Sequence, residues 1–101
     1  MPFVRVVTVR ARPGKVDELI ATARADVEHE APPPGLLHLH ALRDVQDPDA
    51  GLLVSFFQTR AALEANTANL QADFAALQPL LAAPPAIAVY EVVFERPATT
   101  G

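Results

Sequence analysis

The fold is decided by the stretch from residue 3 to residue 30, FVRVVTVR-ARPG-KVDELIATARADVEHE. Its first part, Phe3–Arg10, is rich in β-branched residues and is typical of a strand. Pro13-Gly14 interrupts the chain. Apolar residues then recur at steps of three and four up to Glu30, which predicts an amphipathic helix. The apolar stripe of that helix consists of Val16, Leu19, Ile20, Ala23 and Val27.

The rest of the chain continues this alternation. Pro32-Pro33-Pro34-Gly35 ends the helix, and residues 36–43 and 52–59 predict two strands joined by a hairpin loop at 44–51. Thr59 is a candidate N-cap for a second helical region, which asparagines between 66 and 69 can bend or split. Residues 87–95 predict a fourth strand, and 96–101 a flexible tail. The order predicts one α+β domain over residues 1–101, with a ferredoxin-like βαββαβ fold and a four-stranded antiparallel sheet carrying both helices on one face.

The second face of this sheet has no cover within the chain. The third strand is apolar on both sides, with Val54 and Phe56 on one face and Leu53 and Phe57 on the other. Because a sheet buries an apolar face against another layer, we expect a second copy of the chain to cover it, giving a homodimer.

Composition excludes several classes of function. The net charge is −4 and the eight basic residues form no run or stripe, so we expect no nucleic-acid partner. The chain has no cysteine, which excludes disulfides and cysteine nucleophiles. No apolar run approaches the length of a membrane span, and Met1 to Arg12 resembles a strand more than a signal peptide. We therefore expect a cytoplasmic protein with no membrane partner.

His38 and His40 are candidate catalytic residues. They lie two apart on the second predicted strand, so both side chains leave the same face. Such a pair can move protons or supply two ligands to a metal, with His29 or a carboxylate as the third. On an edge strand it can equally be partly solvated or hydrogen-bonded across a dimer. We predict no metal.

Asn66 is the third candidate catalytic residue. With Leu63 and Leu70 it falls at steps of three and four, so all three share the helix face toward the sheet, although an asparagine here can also simply interrupt the helix. Arg5 could bind an anionic oxygen, pair with Glu91, or lie solvated at the rim. The candidate ligand-binding residues are Arg5, Val7, Phe57, Leu63, Leu70, Phe74 and Tyr90; the phenylalanines could instead be core, and the Tyr90 phenol could reach a backbone carbonyl.

Several short segments, taken in order, resemble the antibiotic biosynthesis monooxygenase family. They are Arg12-Pro13-Gly14-Lys15, Pro34-Gly35-Leu36-Leu37, Leu42-Arg43-Asp44, Asp47-Pro48, residues 59–65, Leu77-Gln78-Pro79-Leu80-Leu81 and Val89-Tyr90-Glu91-Val92. The resemblance covers residues 3–95. It implies a dimeric α/β barrel of two four-stranded sheets, with a ligand cavity between sheet and helices, and it places Phe3, Arg5, Val7 and Val9 on the helix-facing side.

The chain departs from that family's pattern at several positions. Residues 54–57 stand where Tyr-Glu-Arg-Trp is common, Asn66 replaces the usual histidine, and the later Ser-Pro-His step is absent. Haem-degrading members carry a tryptophan near Asn66, an asparagine near Val7 and a ligating histidine near Phe74. Since none of these is present, the resemblance disfavours haem degradation.

One leading hypothesis and two alternatives follow. The leading one is a cofactor-independent, monooxygenase-like enzyme that acts on a small aromatic, quinol-type metabolite. Such an enzyme must hold an electron-rich phenolate beside dioxygen, which calls for a few neutral donors in an apolar pocket. The alternatives are a non-oxidative domain that binds or isomerises a small metabolite, with His38 or His40 moving protons, and a dimeric accessory module without catalysis.

Overall fold

The computed structural model of this chain describes residues 1–97. Its strands are β1 (Phe3–Arg10), β2 (Leu36–Arg43), β3 (Ala50–Phe57) and β4 (Ala86–Glu91). Its helices are α1 (Val16–His29), α2 (Arg60–Thr67) and α3 (Leu70–Leu77), and a 3₁₀ turn follows at Gln78–Leu80. The predicted order of strands and helical regions is confirmed.

The four strands form one antiparallel sheet in the order β2-β3-β1-β4. β1 and β3 are therefore the central strands, and Val6 is paired with Val54 near their middle. This is the ferredoxin-like α+β arrangement that the sequence predicts. β3 is apolar on both faces, although the helices of this chain cover only one of them.

The helices pack on the sheet face that carries Arg5, Val7 and Phe57. Val7 and Phe57 are completely buried there, and Leu63 of α2 is buried against the same face. A second cluster, of Ala11, Leu19 and Leu81, joins the end of β1 to α1 and to the segment after the 3₁₀ turn. The hydrophobic core thus lies between the sheet and its helices.

The opposite sheet face, here called the outer face, is covered by no helix of the described chain. The strand register, with side chains alternating along each strand, assigns to it Val4, Val6, His38, His40, Val54, Phe56, Ala88 and Tyr90. The rings of His38 and His40 are stacked with centroids 6.2 Å apart, and each meets the Phe56 ring edge-on. The outer face is an apolar surface with a pair of imidazoles at one edge.

A bulge in β2 changes one predicted face. The sequence groups Leu36 with His38 and His40, but the register shifts between Leu36 and His38. Leu36 is consequently paired with Phe57 on the helix side. The strict alternation assumed from the sequence is wrong at this point because a bulge adds one residue to one strand only.

Other boundaries differ modestly from the predictions. The second helical region is divided at Ala68-Asn69, where the Asn69 amide bonds back to the Asn66 carbonyl. Thr59 caps α2 by accepting a hydrogen bond from the Ala62 amide, as expected. β4 ends at Glu91 because Glu91 is paired with Phe3, the first residue of β1. Of the predicted tail 96–101, residues 98–101 lie outside the described residues.

Two turn glycines offer a matched test of the fold. Gly14 (φ 78°) and Gly35 (φ 81°) both adopt the left-handed conformation, but only at Gly35 would a Cβ collide, 2.7 Å from the Ala62 Cβ. We expect Gly14→Ala to cost roughly 1–2 kcal/mol through conformation alone. Gly35→Ala adds an overpacking cost of about 1–3 kcal/mol. Urea unfolding of both variants checks this; equal losses would contradict the packing of α2 on the turn.

Candidate ligand site

Arg5 is the centre of the candidate site. Its side chain lies on the helix side of β1, with only 2% of the residue exposed. The guanidinium carbon lies 5.3 Å from the centroid of the Phe57 ring. The expectation that Arg5 is a solvated rim residue is therefore wrong, because α2 covers this end of the strand. Nor does Arg5 pair with Glu91; its polar partners are elsewhere.

The hydrogen-bond partners of Arg5 are all neutral. Nη1 donates to the Asn66 Oδ1 at 2.8 Å and to the Thr67 Oγ1 at 3.1 Å. Nη2 makes one long contact, 3.5 Å, to the Ser55 Oγ. Nε is buried and has no partner in the described part of the chain. The guanidinium is held firmly on one side and retains donor capacity on the other.

Burial acts on the charge of this guanidinium. Removal from water lowers the pKa of Arg5 from its ordinary value, and the carboxylate of Asp73 partly offsets that shift. Arginine nevertheless remains protonated in proteins. The site thus contains a permanent positive charge whose hydrogen-bond partners are neutral and which the carboxylate of Asp73 influences without a direct hydrogen bond.

Two adjoining cavities lie between the sheet and the helices. The smaller has a volume of about 180 Å³ and is bordered by Arg5 and Asn66, by the carboxylates of Asp26, Glu30 and Asp73, and by apolar residues of α1, α3 and β2. The larger, of about 540 Å³, extends toward the β2–β3 hairpin and is lined mainly by aliphatic side chains. Six residues border both cavities: Ala23, Val27, Leu39, Leu53, Phe74 and Leu77.

The chain matches known proteins over most of its length. Residues 2–78 match the family model described as antibiotic biosynthesis monooxygenase. The chain belongs to the antibiotic biosynthesis monooxygenase family. No curated protein matches it.

Solved structures provisionally assigned to the same family share the fold. A protein from Chloroflexus aurantiacus J-10-fl is 26% identical, with a TM-score of 0.73 and coverage of 96% of this chain and 98% of that one. One from Deinococcus radiodurans is 18% identical, with a TM-score of 0.79 and coverage of 98% and 99%. One from Nitrosomonas europaea is 20% identical, with a TM-score of 0.78 and coverage of 92% and 91%.

The predicted site residues of this antibiotic biosynthesis monooxygenase family member fall into three groups. Arg5, Asn66, Leu70 and Phe74 border the smaller cavity. Val7, Phe57 and Leu63 are buried in the core beside it but border neither cavity. His38, His40 and Tyr90 lie on the outer face, and Tyr90 is 57% exposed there.

Two residues near Arg5 were not singled out from the sequence. Thr67 donates its hydroxyl to the Leu63 carbonyl while accepting from Arg5. Ser55 is completely buried at one of the positions where the family commonly has other residues. The alternation of β3 could have identified Ser55, since a polar residue two positions from Phe57 shares its face.

No helix in residues 1–97 is long and apolar enough to cross a membrane. The same residues contain no group of three or more histidine or acidic side chains positioned to hold a metal ion. The third ligand that a His38–His40 metal site would need is therefore missing from the described chain.

Proposed function

We propose that this protein is a cofactor-independent, monooxygenase-like enzyme that acts on a small aromatic, quinol-type metabolite in the space between sheet and helices. The proposal is carried by one observation: polar groups from β1 and α2, Arg5 and Asn66, meet at the border of a cavity whose other lining is apolar except for three exposed carboxylates, Asp26, Glu30 and Asp73. Family membership supports the general class of activity. Cavities of this kind, mostly apolar with a few convergent polar groups, are typical small-molecule sites.

The reaction that fits this site needs no external reductant. An ionised hydroquinone or anthrone supplies the electrons to dioxygen. In an anthrone the methylene carbon loses two hydrogens and gains one oxygen as a carbonyl; in a hydroquinone one ring C–H becomes C–OH and the two phenol groups are oxidised to the quinone. In both cases the second oxygen atom leaves as water. The protein then has to hold the substrate oxygen and stabilise charge as electrons leave. The Arg5 guanidinium and the Asn66 amide NH₂ are the donors proposed for that task.

We also propose that the working form is a homodimer joined through the outer face. Burying one leucine-sized side chain contributes roughly 1.5–3 kcal/mol. On this face Val4 is already buried in the single subunit, whereas Val6, Val54 and Phe56 remain partly exposed. Covering it with a second copy buries these side chains without any change in the subunit. His38 and His40 would then lie at or beside the interface.

Oxygen uptake tests the enzymatic proposal. We expect protein that has been dialysed against a metal chelator to consume one mole of dioxygen for each mole of hydroquinone or anthrone that it oxidises. An unchanged rate after dialysis is expected because the described site has no set of metal ligands. Absence of uptake across the panel, by protein that is folded by circular dichroism, would overturn the proposal.

The non-oxidative alternative makes a different prediction for His40. It requires a proton-transferring imidazole at the ligand, whereas His40 borders neither cavity. In the proposed oxygenase, His40→Ala keeps kcat within about twofold and leaves the pH–rate profile unaltered, because the outer face does not contact substrate. If the pH dependence of the rate is lost in His40→Ala, the non-oxidative, isomerase-type hypothesis is favoured instead.

A further inference from the structure

The charged groups that border the two cavities are unevenly paired. Three are arginines, Arg5, Arg24 and Arg43, and five are carboxylates, Asp26, Glu28, Glu30, Asp49 and Asp73. Arg24 lies 3.2 Å from Glu28, and Arg43 lies 3.8 Å from Asp17. Arg5, the most deeply buried of the three, has no carboxylate within 4 Å among residues 1–97; its contacts are all with neutral groups.

A buried cation whose hydrogen-bond partners are all neutral is costly, and the carboxylate of Asp73 offsets that cost only in part. Neutral hydrogen bonds replace part of its hydration, but they do not neutralise the charge, and the Nε donor of Arg5 has no partner among the described residues. A buried charged group in this state, at the border of a cavity, marks a candidate ligand site. An oxyanion is the complement of a guanidinium, because it supplies the charge and accepts several N–H groups at once.

The neighbouring space indicates the shape of the ligand. The smaller cavity, at Arg5, shares a wall of six residues with the larger cavity, whose lining is mainly aliphatic. The ligand body that fits there is apolar and longer than one small ring. On α1, Ile20 and Val27 border the larger cavity while remaining substantially exposed, so a bound apolar body would also cover surface that now meets water.

The border of the smaller cavity limits the charge of the ligand. Asp26, Glu30 and Asp73 lie there and are exposed. Water screens these carboxylates, but they disfavour phosphates and dicarboxylates, which bring a second negative charge. The complement of this arrangement is a ligand with a single charge.

We propose that the two cavities form one site for a singly charged amphiphilic anion, with its oxyanion at Arg5 and its apolar body in the larger cavity. This deepens the proposed function, on which it rests for the assignment of this space as the ligand site. Carboxylates and ionised phenols share the required chemistry.

Matched compounds test the charge requirement on the unaltered protein. In calorimetry at pH 7.5 we expect 2-naphthoate to bind about 10- to 100-fold more tightly than methyl 2-naphthoate, and naphthalene-2-phosphonate to bind more weakly than the carboxylate. 2-Naphthol tests whether an ionised phenol can replace the carboxylate. If the protein binds the phenolate, binding releases a proton, and the measured heat of binding then depends on the buffer. Equal affinity of acid and ester, with no proton release from the naphthol, would overturn the proposal.

Two variants locate the anion. Arg5→Gln removes the charge, and Ser55→Asp supplies an internal carboxylate beside Nη2; each is expected to abolish the preference for acid over ester. Arg10→Gln is the matched control on the same strand, since Arg10 borders neither cavity and is paired with Asp47. If the Arg5→Gln variant does not fold, the Ser55→Asp variant and the comparison of acid with ester still test whether the anion binds at Arg5. A preference that persists in folded Arg5→Gln or Ser55→Asp would overturn the assignment to Arg5.

The larger cavity has its own test. Ala41 borders that cavity alone, so Ala41→Phe is expected to weaken 2-naphthoate at least tenfold while leaving benzoate unchanged. Equal weakening of both would overturn the placement of the apolar body. The oxygenase proposal can fail independently of the anion site. If the protein prefers acid over ester but consumes no oxygen with any hydroquinone or anthrone, the anion site stands and the oxygenase proposal fails. If it consumes oxygen but shows no such preference, the oxygenase proposal stands and the anion site fails.

Discussion

Val54→Glu is expected to convert the proposed homodimer into monomers. Val54 lies on the central strand β3, between Val6 of β1 and His40 of β2, and its side chain points to the outer face. In a two-fold dimer the same substitution occurs on both subunits. If each desolvated carboxylate costs about 2–3 kcal/mol, the pair weakens the dimer by roughly three to four orders of magnitude.

Light scattering after size exclusion, from about 1 to about 100 µM protein, measures this effect, and far-UV circular dichroism checks that the subunit remains folded. Val45→Glu is the matched control, because Val45 is 96% exposed in the hairpin loop and lies outside the strands. The control should elute as wild type does. A wild-type chain that is monomeric at micromolar concentration, or a Val54→Glu chain that stays dimeric, would contradict the outer-face interface.

The order of the elements could be predicted because each rests on a local signal. β-branched runs, a three-four apolar spacing, and prolines at 32–34 and 84–85 are visible within short windows. The N-cap at Thr59 could be predicted for the same reason, since its hydrogen bond joins residues only three apart in the sequence. The bulge at Leu36-His38 is different: it depends on the partner strand, so no pattern within β2 alone reveals it.

The candidate site was only partly predictable for a related reason. Leu63 and Asn66 both face the sheet from α2, as their spacing predicts, because helical periodicity is local. Leu70 does not share that helix face, because α2 ends at Thr67 and Leu70 begins α3. Whether Arg5 meets water depends instead on where α2 crosses the sheet, some sixty residues away in sequence. The alternation within the strand predicts which sheet face carries Arg5, but whether its side chain is buried depends on how α2 packs against that face.

The structure also changes what Asn66→Leu should do. From the sequence alone, the enzyme hypothesis predicts that this substitution keeps or raises the melting temperature while turnover is lost, because it removes a buried amide; a merely structural Asn66 predicts altered stability with ligand binding untouched. Since the Asn66 Oδ1 accepts a hydrogen bond from the buried Arg5, we now expect a loss of about 1.5–3 kcal/mol. For a domain of this size, each kcal/mol lowers Tm by roughly 4–8 °C. Activity should fall about 10²- to 10³-fold, as when one charge-stabilising donor is removed from an active site.

Asn66→Asp separates the two effects, and it is the sharper experiment. A carboxylate placed where the Oδ1 now lies, 2.8 Å from Nη1, would give Arg5 its missing counterion. The pKa of the introduced carboxyl would then be depressed in the folded state, so the added stability is present at neutral pH and is lost as pH falls through the range of carboxyl titration. Tm should therefore rise at neutral pH relative to wild type while activity falls at least tenfold, since the internal carboxylate competes with an anionic substrate.

Asn69→Leu is the control for both substitutions. The Asn69 side chain makes no capping bond, and the residue borders neither cavity, so its variant should leave kcat and KM unaltered. A merely structural Asn66 predicts that activity follows stability, low in Asn66→Leu and at least normal in Asn66→Asp. A ligand-binding Asn66–Arg5 pair predicts low activity in both, with stability moving in opposite directions. If Asn66→Asp has a raised Tm and also full activity, Asn66 and Arg5 do not bind the substrate.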